Sequence, residues 1–155
     1  RAEALGDLHA VMDFSYRNRR LVEPRLVRVG DASGFIDPVF SSGVMLAMAS
    51  ARHGARAVDE ALAAGAALTP GMHAYEKMNR KCIALYWEFI ENFYTLPFAQ
   101  VFFQPTNHLR IVCAISSVLA GSTDLPFAVR WRLRAFFLFV RLNKWLPVVK
   151  RIPVG

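Results

Sequence analysis

The chain has 155 residues, 54% of them hydrophobic, and a formal net charge of +7. This length suffices for one buried core and is short for two ordinary domains. The apolar runs, of which residues 135–140 are an example, are far shorter than the roughly 20 residues that span a bilayer. Integral membrane proteins are thereby excluded, and we expect a cytoplasmic protein that lies at most on a membrane surface. Because the sequence starts at Arg1 rather than at methionine, we interpret it as part of a longer protein.

The positive charge is concentrated at the C-terminal end. Residues 126–155 hold seven basic side chains and no acid, which accounts for the whole net charge. Arginines interleaved with aromatic residues predict a packed helix with a solvated basic face, and the alternative is contact with an anionic membrane surface. Nucleic acid is not expected as a partner, because the aromatic residues do not form a single base-stacking array.

Residue types that bind metals are too scattered to predict a metal site. Cys82 and Cys113 lie among apolar residues without CxxC spacing, so we expect two buried thiols, no disulfide and no structural metal. The histidines, which show no HxxxH or HExxH spacing, are His9, His53, His73 and His108. We assign them neither a metal nor a catalytic role.

Two short strands are predicted at the start of the chain. Residues 10–17 and 25–29 are rich in β-branched and aromatic residues, and the polar segment 18–24 between them is predicted to be a turn. The second strand is expected to run directly into Gly30.

The segment VGDASGFIDPVFSSGV, residues 29–44, is the densest in small, turn-forming and acidic residues. The Asp31 carboxylate at the end of a strand can accept hydrogen bonds from ligand hydroxyls, as acidic residues do from the sugars of nucleotide cofactors. The following helix offers unpaired N–H groups at its N-terminus, with Ser42 as the expected cap. These features favour a site for a polyhydroxylated, partly anionic ligand. The alternative is an ordinary strand-to-helix turn with Asp31 and Asp37 in Asx turns.

The chain after this segment is predicted to be helical. A first helix is expected from Ser42 to Gly65, where the glycine ends it. Its packed face is predicted from apolar residues at steps of three and four, namely Val44, Met48, Ala51, Ala55, Val58 and Leu62.

Further helices follow to the end of the chain. Thr69 and Pro70 form the start of a second helix, as N-cap and first helical residue, and this helix is expected to continue towards Pro105. Residues 107–120 and 126–146 are predicted to form two more helices. The sequence therefore predicts a mainly α fold with a few β-strands.

The stretch VGDASGFIDP resembles the second flavin-binding motif of FAD-dependent oxidoreductases of the glutathione-reductase-like type. Its continuation, DPVFSSGVMLAM, is most similar to the FAD-dependent halogenases. The resemblance implies the C-terminal part of an FAD-binding α/β fold, followed by a helical region. Residues 1–66 would end the FAD-binding domain, and residues 67–155 would form the helical region that shapes the substrate cavity.

The resemblance also implies a cofactor, a reaction and site residues. Reduced FAD, O₂ and a halide would act on an aromatic or other electron-rich small-molecule substrate, with a flavin reductase as the implied partner. By position, Gly30 and Asp31 would hold the sugar chain of FAD, Pro38 would lie against its ring, and Val44 would touch the flavin. The contacts to the halide and to the pyrimidine edge of the flavin would be those of Ser42 and Gly43.

Other functions stay open at this point. No catalytic residue is assigned, and the lack of a GxGxxG motif predicts that the segment is inactive by itself. Related flavoenzymes carry out hydroxylation or, in the geranylgeranyl reductases, double-bond reduction. The alternative from another class is a non-catalytic helical module that binds a membrane or a partner through residues 126–155.

Overall fold

The computed structural model describes Gly6 and residues 15–104, 110–122 and 125–146. The helices are α1 (Gly43–Ala63), α2 (Pro70–Phe93), α3 (Leu96–Phe102), α4 (Ile111–Leu119) and α5 (Phe127–Leu142). The strands are β1 (Tyr16–Arg17), β2 (Val22–Glu23), β3 (Leu26–Val27) and β4 (Gly34–Phe35), and 3₁₀ turns are formed by Gly30–Ser33 and Pro38–Phe40. The prediction of a mainly α fold with a few short strands is confirmed. Positions 10–14 of the first predicted strand and 107–109 of the third predicted helix lie outside the described residues.

The strands form two small antiparallel ribbons, β1 with β4 and β2 with β3. The prediction of a turn over residues 18–24 is wrong at its end, because β2 lies inside it. Leu21 and Val22 are 1% and 6% exposed, so burial of these two side chains draws this largely polar segment into a hairpin. Strand β3 ends at Val27 and does not reach Gly30 as predicted.

The C-terminal end of α1 and the N-terminal end of α2 are set by the predicted residues. Gly65 follows α1 with a φ of 60°, the left-handed conformation that glycine adopts after a helix. The Thr69 side chain accepts a hydrogen bond of 3.3 Å from the Met72 N–H at the start of α2. Helix α2 stops at Phe93 rather than continuing, and Pro97 lies in the first turn of the separate helix α3.

The packed face of α1 differs from the predicted one. Its buried residues are Ser50, Gly54 and Ala57. A Cβ atom on Gly54 would lie 2.5 Å from Cγ1 of Val29, so this small-residue face brings the helix very close to the chain after β3. All six residues of the predicted face are exposed; the large ones are Val44 at 75%, Met48 at 69%, Val58 at 40% and Leu62 at 76%. We call this set, together with Ala51 and Ala55, the α1 apolar stripe.

Two apolar clusters stabilise the fold. The smaller one joins the β2–β3 ribbon to α1 and the start of α2, through Leu21, Val22, Ala57, Met72 and Tyr75. The larger one lies among α2, α3, α4 and α5, and the fully buried ring of Phe89 is surrounded by other phenylalanines within it. Phe40 of the loop before α1 packs edge-on against Phe89, with ring centroids 5.9 Å apart. The loop is therefore anchored to the helical core.

Helix α5 is the predicted amphipathic helix with a solvated basic face. Its buried residues are Leu133, Phe136, Phe137 and Val140, whereas Arg130, Arg134 and Arg141 are exposed. No helix within the described ranges is long and apolar enough to cross a membrane.

The two cysteines have different environments. Cys82 is half-buried, and this burial raises the pKa of its thiol to about 11. Cys113 is exposed, so the prediction of two buried thiols is wrong for it. The reason is its position on α4, where Ala114, Ile115 and Val118 form the buried side.

Candidate functional site

The loop between β3 and β4 is held by hydrogen bonds to its backbone. Gly30 has a φ of 56°, and its N–H donates to Oγ of Ser50 on α1 at 2.8 Å. The Ser33 hydroxyl donates to the Gly30 carbonyl at 2.7 Å. The Tyr16 hydroxyl donates to the Asp31 carbonyl at 2.6 Å. The backbone of Asp31 is thus fixed on both sides by contacts that leave its side chain unused.

The two aspartates of this segment have different roles. Asp31 is exposed, and no described residue bonds to its carboxylate. The Asp37 carboxylate accepts hydrogen bonds from the Val39 N–H at 2.9 Å and from the Tyr94 hydroxyl at 3.0 Å. The bond to Asp37 raises the pKa of Tyr94. The interpretation as an Asx turn is therefore correct for Asp37, and Asp31 is the aspartate available to a ligand.

The N-terminus of α1 is open to solvent. Ser42 is 5% exposed, has a helical backbone conformation and makes no side-chain capping bond, so its predicted capping role is wrong. By helix geometry the N–H groups of Gly43, Val44 and Met45 have no intrahelical acceptor. No acid lies in the first turn, and no heavy atom comes within 4 Å of a Cβ built on Gly43. This end of the helix can accept an anionic or electron-rich group.

The structure brings part of the predicted site together. Gly30, Asp31 and Gly43 line one small cavity, which Asn79 and Ile83 of α2 close from behind. Pro38, Ser42 and Val44 do not line it. The cavity has a volume of about 20 Å³, which is room for a single water. The cavity is therefore too small for a ligand with several rings, and a ligand of that size could contact only the exposed loop and the N-terminus of α1 from outside.

Three supporting residues were not predicted from the sequence. Besides Ser50, the Tyr75 hydroxyl donates to the Arg28 carbonyl at 2.6 Å, and burial raises the pKa of this phenol to about 12. Asn79 is 5% exposed and its side-chain amide contacts the Tyr75 hydroxyl at 3.5 Å. The sequence signal that could have identified Ser50 is the line of small residues Ser50, Gly54 and Ala57 at helical spacing on α1.

Removing the Ser50 hydroxyl is expected to loosen the loop. In a Ser50→Ala variant the Gly30 N–H loses its acceptor, which costs about 1–3 kcal/mol in the free energy of unfolding. Urea denaturation of the purified protein measures this loss. The matched control is Ser117→Ala, whose hydroxyl donates to the Cys113 carbonyl on a helix surface and whose effect should stay within about 0.5 kcal/mol. Equal effects of the two variants would contradict the anchoring role of Ser50.

The described residues contain no candidate metal site. Across the described ranges, no group of three or more histidine, cysteine, aspartate or glutamate side chains is arranged to hold a metal ion.

Comparison with known proteins shows that the chain is similar to halogenases. A 1H-pyrrole-2-carbonyl-[peptidyl-carrier protein] chlorinase from Pseudomonas fluorescens is 37% identical over 84 residues, which are 54% of this chain and 19% of the relative. A 1H-pyrrole-2-carbonyl-[peptidyl-carrier protein] brominase from Pseudoalteromonas luteoviolacea is 41% identical over 61 residues, 39% of this chain and 15% of the relative. A tryptophan 2-halogenase from Chondromyces crocatus is 40% identical over 65 residues, 42% of this chain and 12% of the relative. The matches thus span less than a fifth of each relative's length.

The family model for tryptophan halogenases matches residues 7–110. This range contains the Gly30–Asp31 loop, α1, α2 and α3. The predicted resemblance is confirmed, and the chain belongs to the tryptophan halogenase family.

Proposed function

We propose that this chain is the C-terminal portion of an FAD-dependent halogenase. Residues 1–66 complete the FAD-binding domain, and residues 67–155 form a helical region beside the substrate cavity. The observation that carries the proposal is the exposed carboxylate of Asp31, to which no described residue bonds, next to an open helix N-terminus in a chain of the tryptophan halogenase family. The reaction is the replacement of a ring hydrogen by chlorine or bromine on an electron-rich substrate.

The residues of the loop suit one side of an FAD site. Gly30 and Asp31 hold the sugar chain, with the Asp31 carboxylate accepting hydrogen bonds from hydroxyl groups. The exposed Pro38 lies against the ring, and Val44, which is 75% exposed, touches it. Reduced FAD, when bound, would supply two electrons to O₂, and the halide would supply the other two needed to reduce O₂ to water and would thereby be oxidised; a separate flavin reductase would reduce the FAD again.

The N-terminus of α1 is proposed to hold the negative charges of the reaction. The Gly43 and Val44 N–H groups point out of the first turn, and the positive end of the helix dipole contributes about 0.3–2 kcal/mol to binding an anion there. Gly43 and Ser42 hold the halide and the pyrimidine edge of the flavin. Most of this contact is assigned to the exposed Gly43, because Ser42 is only 5% exposed as a whole residue.

The α1 apolar stripe supports the assignment of residues 1–66 to a larger domain. Four large apolar side chains that are 40% to 76% exposed along one helix form a patch of the kind that proteins cover with another surface. A groove of about 430 Å³ continues it past Val58 and Leu62 to Leu26 of β3. The rest of the FAD-binding domain is the proposed cover, and the second side of the flavin site belongs to it.

The substrate is proposed to be an aromatic acyl group carried by a peptidyl-carrier protein. Two relatives are named for 1H-pyrrole-2-carbonyl substrates on such carriers. A free aromatic substrate is the second candidate, favoured by the similarity to a tryptophan 2-halogenase.

The experiment uses the full-length protein, purified and supplied with FAD, a flavin reductase, O₂ and either chloride or bromide. With 1H-pyrrole-2-carbonyl-carrier protein as substrate, mass spectrometry is expected to show the isotope pattern of the halide that was added. Failure to bind flavin would overturn the proposal. Insertion of oxygen without halide would instead identify a hydroxylase, and reduction of a double bond would identify a reductase.

A further inference from the structure

A groove between α2 and α5 is lined by residues of these two helices and of the connection before α5. Its volume is about 680 Å³, within the range of sites that hold organic ligands. The floor is apolar and includes Met78 and Cys82 of α2 with Leu133 and Phe137 of α5. Leu133 and Phe137 are only 3% and 4% exposed, so the floor is recessed between the two helices.

The rim of the groove is strongly basic. Lys77 and Lys81 follow each other by one turn on α2, and Arg130 and Arg134 do so on α5. This spacing places each pair on one face of its helix, where like charges repel each other by about 0.2–0.5 kcal/mol. No described carboxylate forms an ion pair with any of the four. The rim therefore carries four positive charges whose repulsion an anionic partner would relieve.

One acid is present among the described lining residues. Glu88 pairs with Arg141 at 3.1 Å at the far end of the groove, so these two charges offset each other. The uncompensated charge is confined to the end that Lys77, Lys81, Arg130 and Arg134 surround.

That end lies beside the helix proposed to face the flavin. Ser122 lines the groove, and a Cβ atom on the preceding residue, Gly121, would lie 2.7 Å from Cγ of Met45. Met45 is in the first turn of α1, next to Gly43 and Val44. The chain segment that connects α4 to α5 thus lies between a ligand at the basic end of the groove and the proposed reaction site.

We propose that this groove docks the carrier protein that brings the substrate. This inference rests on the proposed function and names the surface that meets the partner. The four cations contact carboxylates on the carrier and the phosphate of its pantetheine arm, and the apolar floor receives the arm. Charge complementarity of this kind accelerates association and fixes the orientation of the partner.

The recessed floor of the groove favours a partner with a narrow apolar arm over a nucleic acid, and binding to lipid vesicles separates such a partner from a membrane surface. A membrane-binding helix inserts protruding apolar side chains; Leu138 at the groove is 53% exposed, whereas Leu133 and Phe137 of its floor are 3% and 4% exposed. Single-stranded nucleic acids need exposed aromatic rings for stacking, and the one aromatic residue of the described lining, Phe137, is buried.

The test measures binding of 1H-pyrrole-2-carbonyl-carrier protein to the full-length, FAD-loaded protein by fluorescence anisotropy at low and at physiological salt. In a Lys81→Glu, Arg134→Glu double variant, Kd is expected to rise by about tenfold or more, and its salt dependence is expected to fall. The matched control, Arg19→Glu with Lys144→Glu, makes the same charge change at two exposed residues outside the groove. All four side chains are exposed, so neither variant removes a packed residue.

Three outcomes would overturn the inference. The first is absence of carrier binding by the wild type, and the second is an equal Kd for the groove and control variants. The third is that the Lys81→Glu, Arg134→Glu variant binds the carrier as tightly as the wild type but no longer binds phosphatidylglycerol vesicles. The last result would identify a membrane surface instead. If the carrier binds through the groove but no halogenated product forms, the docking surface is supported and the proposed halogenase function is contradicted. Failure of the docking inference and failure of the proposed function are therefore distinguishable.

Discussion

Truncation of Phe89 to alanine is expected to lower the free energy of unfolding by about 3–5 kcal/mol. Its ring is 0% exposed and lies between four rings from three other elements: the 3₁₀ turn before α1, α3 and α5. The ring centroids of Phe137, Phe136, Phe40 and Phe98 are 4.9, 6.0, 5.9 and 6.3 Å away, respectively. The variant leaves a cavity that these neighbours cannot fill, because they are held by three different elements. Urea denaturation with two spectroscopic probes measures the change.

The control for the Phe89→Ala variant is truncation of an exposed phenylalanine. Phe127 is 72% exposed at the start of α5, so Phe127→Ala should change the free energy of unfolding by no more than about 0.5 kcal/mol. A loss below about 1 kcal/mol for Phe89→Ala would mean that the aromatic cluster is not the centre of the core. Since Phe40 joins the loop to this cluster, the Phe89 variant should also weaken flavin binding.

Replacement of Asp31 by asparagine is expected to weaken FAD binding by about 10-fold to 100-fold. Hydrogen bonds to a charged acceptor contribute about 1.5–3 kcal/mol, and the amide removes the charge while it keeps the shape. Quenching of flavin fluorescence, measured by titration of the flavin-free full-length protein, gives Kd. Folding stability should not change, because no described residue bonds to this carboxylate.

Asp59→Asn is the matched control for this prediction. Asp59 is exposed on α1, far along the helix from its N-terminus, and the substitution makes the same change of charge. An unchanged FAD affinity of the Asp31→Asn variant would contradict the proposed contact to the sugar chain. A parallel loss in both variants would instead indicate a general effect of charge on the binding of the anionic cofactor.

Local signals were sufficient for the C-terminal end of α1 and the N-terminal end of α2 but not for the break between α2 and α3. Thr69 with Pro70 and the glycine at position 65 act within one turn of the chain, so their effect does not depend on the rest of the fold. The start of the first helix was predicted at the right position, although the expected capping bond of Ser42 is absent. Strands were harder, because β2 consists of two residues whose pairing depends on the burial of Leu21 and Val22.

The candidate site was predictable in its residues and less so in its geometry. The Gly30–Asp31 pair and the family resemblance came from a contiguous segment of sequence. The support from Ser50, Tyr75 and Asn79 did not, since these residues are 20 or more positions away in the chain. Their hydrogen bonds exist only because α1 and α2 pack behind the loop.

The sequence by itself determined the helical character of the chain, the C-terminal end of its first helix, the N-terminal end of its second and the segment that belongs to the tryptophan halogenase family. Only the tertiary structure decided which face of α1 is buried, because periodicity identifies an apolar face without stating what covers it. Ser50, Gly54 and Ala57 pack inward since their small size permits close approach, and the larger apolar side chains are left outside. The groove between α2 and α5 is a tertiary feature for the same reason: its cations come from two helices that are separated in sequence and adjacent in space.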